Sequence, residues 1–278
     1  MIRIVKGPNV DRNYLTKIID RIEFHGKRVV LDNSEQKLSL VLSLGGDGTI
    51  LKASEIAYAN NVPILAINFG RMGFLTAADG ADAMIILHKY FLDKYVIRKR
   101  RLLSVLSKDE EIGWALNDVA LEKAGTSKML ALSISIDDVT LSTFGADSVL
   151  CSTATGSTAH AFSAGGPIMW PNVEAFEIVP IAAHALFSKP IIVGPKTKIS
   201  IKVLLDSPSK AIISYDGRRN KAILSGESID VSLSDKSISF ITFANDNFTT
   251  KLVNKFQLPV HEWRYINNIK FADYENYG

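Results

Sequence analysis

Apolar positions in the first hundred residues follow two alternating rhythms. Ile2, Ile4 and Val5 form a short apolar run that predicts a strand. Leu15, Ile18, Ile19 and Ile22 then recur on one helical face, and Gly26 stands where that helix would end. Residues 29–31 and 38–44 read as strands, 49–59 as a helix with Ile50, Ala53, Ile56 and Ala57 inward, 62–68 as a buried strand and 81–92 as a further helix. Such β-α-β order predicts an open parallel sheet flanked by helices, with ligands at the carboxyl ends of its strands.

Near residue 100 the rhythm changes to short runs rich in Val, Ile, Leu, Thr and Ser, separated by charged or Gly-containing turns. Strands are expected at 116–121, 130–136, 191–193, 199–205, 211–215 and 229–243, which makes a second, mostly β unit. Within it, residues 156–163 carry no strand alternation and predict a short inserted helix. The tail at 247–255 again reads as helical. The run Arg98-Lys99-Arg100-Arg101 marks the change of pattern and reads more readily as a solvated linker than as a phosphate site. No repeat or low-complexity tract interrupts the chain.

Composition narrows the function classes. With 278 residues, 47% of them apolar, the chain can bury one or two full cores, so general disorder is excluded. A formal charge of +3 is too small for a nucleic-acid footprint over the whole surface, and no nucleic-acid partner is expected. Cys151 is alone, so an internal disulfide is impossible, and no Cys/His spacing fits structural zinc. Residues 1–10 are broken by Arg3 and Lys6 and lack a signal-peptide pattern. The longest apolar stretch, 178–187, is about half a membrane span and contains Pro180 and His184. A cytoplasmic protein without a membrane partner is the expectation, with Cys151 buried and inert.

The candidate chemistry lies in Gly45-Gly46-Asp47-Gly48-Thr49, directly after the apolar run that ends at Leu44. Three glycines at a strand-to-helix turn let backbone N–H groups approach an anion, and the helix N-terminus adds positive potential. The pattern is neither a P-loop nor a dinucleotide GxGxxG fingerprint. Instead a carboxylate stands among the phosphate-cradling glycines. Unless Asp47 is only a helix cap, it removes a proton from an attacking hydroxyl or holds a metal ion on phosphate oxygens, and both options mean phosphoryl transfer.

The same five residues resemble the signature shared by NAD kinases, diacylglycerol and sphingosine kinases, and 6-phosphofructokinases. A second segment narrows this: residues 152–168, reading STATGSTAHAFSAGGPI, closely resemble the NAD-binding segment of NAD kinases, which the lipid kinases lack. Residues 68–76 (NFGRMGFLT) and Leu116-Asn117-Asp118 fall in that family's order. The resemblance, from about residue 38 to 263, implies an α/β plus β fold. A Rossmann-like α/β domain over 1–98 would carry the glycine loop, completed by the tail 247–278, and a β-rich, sandwich-like NAD-binding domain would span 99–246.

It also implies ATP-dependent phosphorylation of the 2′-hydroxyl on the adenosine ribose of NAD, giving NADP, with Asp47 as general base. Gly45, Gly46, Gly48 and Thr49 would meet phosphates, and Lys52, one helical turn on, would add charge beside them. Asn117 and Asp118 would hold the adenosine, Asp118 accepting from ribose hydroxyls. Thr155, Thr158, Ala159, His160 and Ser163 would line the NAD site, with His160 standing where a tyrosine is common in the family. Asp147 matches an aspartate that reaches the nicotinamide end, often in a neighbouring subunit. Lys128 matches a basic binding position, Phe74 would pack against adenine, and Arg218, beside the motif-like Asp216-Gly217, would contact a phosphate. The implied cofactor is Mg²⁺ or another divalent cation carried with ATP. Polyphosphate is an alternative donor, and the expected assembly is a homo-oligomer, dimer or tetramer. Two other readings stay open on sequence: a lipid kinase using the same loop, and a non-catalytic NAD(P)-binding sensor.

Overall fold

The computed structural model describes residues 1–32, 37–70, 73–125, 128–185, 188–244 and 246–259. The first part runs β1 (Ile2–Lys6), α1 (Arg12–Phe24), β2 (Val29–Val30), β3 (Leu40–Leu44), α2 (Asp47–Asn60), β4 (Ile64–Asn68), β5 (Ala78–Asp79) and α3 (Ala83–Phe91). Local chemistry sets the ends of α1. Asp11 accepts from the backbone N–H groups of Asn13 and Tyr14 at 2.8 and 3.2 Å, and Gly26, at φ +70°, turns the chain out of the helix. α2 starts at Asp47, two residues before the apolar spacing alone predicts, because the extended Gly46 serves as its N-cap.

The remainder is β6 (Val96–Ser107), β7 (Glu110–Ala115), β8 (Asp118–Lys123), β9 (Leu130–Ile136), β10 (Val139–Ala146), β11 (Ser148–Thr153), a 3-10 turn at Gly156–Thr158, α4 (His160–Ser163), β12 (Phe176–Ile181), β13 (Ile191–Val193), β14 (Lys198–Val203), β15 (Ala211–Tyr215), β16 (Arg219–Ile223), β17 (Ser228–Thr242) and α5 (Phe248–Phe256). The charge run at 98–101 lies inside β6 rather than in a linker. Arg98 and Lys99 are exposed as expected, but Arg100 donates to the Pro171 carbonyl at 2.9 Å and Arg101 to the Ser234 carbonyl at 2.6 Å, so strand pairing and side-chain anchoring hold the second half of the run. β10 and β16 escape sequence pattern because both are edge strands with half their side chains or more in water.

Two sheets result. One orders as β2-β1-β3-β4-β17-β14-β9-β10, with β5 beside β4, β6 beside β17 and β7 beside β6; the other orders as β13-β12-β11-β8-β15-β16. β1 to β4 are parallel, and β17 joins them in parallel through Phe240↔Ile64 and Ile241↔Leu65. The same strand pairs antiparallel with β14 and β6. Ile18, Ile22, Leu42 and Leu87 fill the α1/α3 face of the parallel strands, while Ile50, Ala53, Val41 and Phe240 fill the α2 face. Burying Ile50 completely contributes about 2 kcal/mol to holding α2, and with it Asp47, in place. A third core, with Leu103, Leu121, Leu132, Cys151, Phe176 and Val231, is sandwiched between the two sheets. Cys151 is fully buried there, which pushes its thiol well above the ordinary range. Among the described residues no helix is long and apolar enough to cross a membrane.

Candidate active site

The glycine loop sits at the carboxyl end of β3. Side chains at Gly7 and Gly45 would overlap Thr49, so both must be glycine for the loop to close over the first turn of α2. Gly46 and Gly48 face open space, which leaves the backbone of the helix N-terminus accessible to an anion. Lys52 is exposed one turn on. Asp47 is different: its Oδ1 is shielded from solvent and has no hydrogen-bond partner, and a side chain at Gly73 would overlap it. Burial raises the proton affinity of Asp47, and the charges of Lys255 and Lys251 on α5 pull it back down. An orphaned carboxylate of this kind, beside open N–H groups, is arranged to accept a proton from something that is brought to it.

Asn117 and Asp118, at the β7–β8 junction, are both buried. Their backbone is gripped from below by Asp216, whose carboxylate accepts from Leu116, Asn117 and Asp118 at 3.0, 2.7 and 3.3 Å. Asp216 and Gly217, with φ of 55° and 62°, form the left-handed turn that makes this reach possible. Arg219 completes the support, lying 4.1 Å over the Trp114 ring and 3.3 Å from Asp216. Burial, followed by the charges of Asp216 and Glu122, lifts the Asp118 carboxyl to about 7. Asp216 is therefore a structural hub, and only its Asp-Gly turn signal was visible in the sequence.

The segment after β11 is laid directly on this pair. Thr153 donates from its backbone to the Asn117 carbonyl at 2.9 Å and from its hydroxyl to the Leu116 carbonyl at 2.7 Å. Gly156 has no room for a side chain against the Asn117 backbone. Thr155, Thr158, Ala159, His160 and Ser163 follow in and beside the 3-10 turn and α4, led on from the contacts that Thr153 and Gly156 make with Asn117.

α5 spans the gap between this segment and the glycine loop. Phe74 meets Phe248 and Phe256 at centroid distances of 5.5 and 6.0 Å, and Phe256 meets Phe162 at 4.8 Å. Phe74 is thus buried beneath α5, its ring packed on Phe248 and Phe256 and not presented to an adenine.

Three predicted residues lie elsewhere. Arg218 binds Glu55 of α2 at 2.8 Å, so its guanidinium ties the β15–β16 turn to α2 rather than facing open space. Asp147 pairs with Lys123 at 2.6 Å. In the β8–β11 register Asp118 pairs with Ser152 and Glu122 with Ser148, which sets Asp147 about 16 Å along the sheet from Asp118. Lys128 is exposed, and its carbonyl accepts from the Ser209 hydroxyl. Arg71 and Met72 of the 68–76 segment lie outside the described residues. Among the described residues no group of three or more His, Cys, Asp or Glu side chains could hold a metal ion by itself.

Residues 9–95 match the ATP-NAD kinase N-terminal domain, and residues 116–243 match the ATP-NAD kinase C-terminal domain. The chain belongs to the NAD kinase family. An NAD kinase of Mycolicibacterium paratuberculosis is 38% identical over 95% of this chain and 88% of its own length, and one from Bifidobacterium longum subsp. infantis is 46% identical over 81% and 68%. The fold agrees with a crystal structure of an NAD kinase from Archaeoglobus fulgidus in complex with ATP, at a TM-score of 0.78 and 26% identity over 93% of this chain and 99% of that one. Yeast NADH kinase complexed with NADH gives a TM-score of 0.79 at 23% identity, over 94% of this chain and 89% of that one, a likeness of fold. Family membership places the glycine loop and the 152–168 segment in one kinase, and the geometry above brings both to the cleft that α5 crosses.

Proposed function

We propose that the chain transfers the terminal phosphoryl group of ATP to the 2′-hydroxyl of the adenosine ribose of NAD, giving NADP, with Asp47 as general base. The observation that carries this is the shielded, partnerless Asp47 Oδ1 beside the open N-terminus of α2. Asp47 takes the hydroxyl proton, the ribose oxygen forms its bond to the γ-phosphorus, and the bond to the β-bridging oxygen breaks, releasing ADP. Backbone N–H groups at Gly46 to Gly48, with Lys52, receive phosphate oxygens; the Thr49 N–H is already bonded to the Gly46 carbonyl at 2.9 Å, which leaves its hydroxyl for the donor. Asn117, Asp118 and residues 155–163 orient the adenosine so that one hydroxyl faces Asp47.

The lack of a three-ligand carboxylate or imidazole cluster among the described residues fits a divalent cation such as Mg²⁺ that arrives on the donor phosphates. When bound, that ion neutralises charge on the transferring group. The same reading includes a homo-oligomer: Asp147 lies too far along its sheet to serve its own chain's Asp118 end, and a neighbour's copy would complete the nicotinamide pocket together with Lys128. It includes a cytoplasmic location, consistent with a single buried thiol, and a division into an α/β unit over 1–98, completed by 247–278, and a β-rich unit over 99–246.

The test is NADP formation from NAD and Mg-ATP, with polyphosphate in a parallel assay and Asp47→Asn alongside. Wild type forms NADP, and the variant falls by a factor of about 10²–10⁴ while staying folded. Absence of NADP with either donor overturns the function, and substantial turnover by Asp47→Asn overturns the role of the base.

A further inference from the structure

We propose that Lys251 of α5 is a positioning residue of the phosphoryl-transfer centre, fastening the loop at residues 73–76 against Asp47 from the far end of the chain. This inference rests on the reading of Asp47 as general base. α5 has no fully buried side chain, so apolar burial alone does not explain why it lies over the cleft. Beside the ring contacts of Phe248 and Phe256, a specific polar clamp holds it. The Lys251 ammonium donates to the Thr76 carbonyl at 2.8 Å and to the Phe74 carbonyl at 3.2 Å, and it is paired with the Asp246 carboxylate. An ammonium has three protons, and here each has an acceptor. The two side chains are only 17% and 7% exposed, so the pair is largely out of water.

The loop so held carries Gly73, whose backbone leaves no space between itself and Asp47 Oδ1. Thr76 closes the loop internally, its hydroxyl donating to the Gly73 carbonyl at 3.4 Å. Loss of the Lys251 clamp frees a surface that lies directly against the Asp47 carboxylate. Lys251 also contributes charge. Lys255 and Lys251 on α5 are the cations that act on Asp47; the loop contributes uncharged Gly73 among the described residues, and on α2 itself Lys52 is exposed one turn away.

The experiment is the pH profile of kcat, from pH 5.5 to 9.5, for the full-length wild type, Lys251→Met, Lys251→Arg and Asp246→Asn. Lys251→Met is expected to lose at least tenfold in kcat at pH 7, with its acid limb moved to higher pH so that much of the loss is recovered at pH 9, and with KM for NAD within twofold of wild type. Lys251→Arg keeps the charge but not the three-pronged geometry, so its acid limb stays in place while kcat falls at least threefold. A loss uniform across pH for Lys251→Met, or wild-type kcat in either Lys251 variant, overturns the proposal. Asp246→Asn leaves the lysine and loosens its hold; wild-type kcat in that variant overturns the proposal even if Lys251→Met does not fold. Failure of the underlying reading has a separate signature, an Asp47→Asn enzyme that still turns over.

Discussion

Glu177 on β12 is a carboxylate with no exposed surface and no hydrogen-bond partner for either oxygen. It shares its strand face with Val179 and points toward the α4 layer, where a side chain at Gly166 would crowd its Oε2. Burial lifts its proton affinity from 4.5 to about 7. Because the folded state holds this proton more tightly than the unfolded chain, stability is present below about pH 4.5 and is lost as pH rises toward 7. The rise from 4.5 to about 7 corresponds to about 3 kcal/mol at full effect, and relaxation and water penetration around the ionised carboxylate reduce that to about 2 kcal/mol. Glu177→Gln keeps the shape and removes the ionisation. In urea titrations the variant should match wild type within about 0.5 kcal/mol at pH 5 and exceed it by about 2 kcal/mol at pH 8, a gain of roughly 5 °C in Tm. A difference between the two proteins that does not change with pH would refute the reasoning, since a packing effect alone has no reason to follow a proton.

Two further outcomes are expected. Asp118 titrates near 7, so if it accepts from ribose hydroxyls, NAD affinity should strengthen as pH rises from 6 to 8, and Asp118→Asn should bind more weakly with a flat pH profile by calorimetry. A flat wild-type profile would remove Asp118 from the ribose site. Gly73→Ala should cut kcat at least tenfold, because the added carbon displaces the Asp47 carboxylate, while the melting temperature moves little for a loop residue. Unchanged kcat would show that the loop yields and that its contact with Asp47 is not needed.

Local patterns revealed a good deal of this protein. The alternation of residues 2–92 anticipated the parallel strands and three helices, since each element there buries a face whose period is visible in one dimension. The glycine loop was equally legible, because the backbone freedom it needs is written in residue type. What escaped were facts of pairing between distant segments. The basic run at 98–101 resembles a linker until β17 pairs with it. Arg218 looks free until Glu55, 163 residues away, claims it. Asp216 reads as a turn residue, and nothing nearby announces that its carboxylate will hold the backbone of residues 116–118. Lys251 is one more lysine on a helix surface until the fold sets it against the carbonyls of Phe74 and Thr76.

β17 has a mechanical consequence. Its fifteen residues run parallel beside β4 at one end and antiparallel beside β14 and β6, so a single unbroken strand is woven into both halves of the molecule. Rotating one half against the other would tear ladder hydrogen bonds in the middle of a sheet, whereas shifting α5 costs only a few partly exposed contacts. The width of the cleft is therefore set by the frame, like the span between two posts on one beam. Adjustment to an arriving nucleotide falls to the short pieces hung across it, and variation in those pieces is the inexpensive route to a changed preference for donor or acceptor.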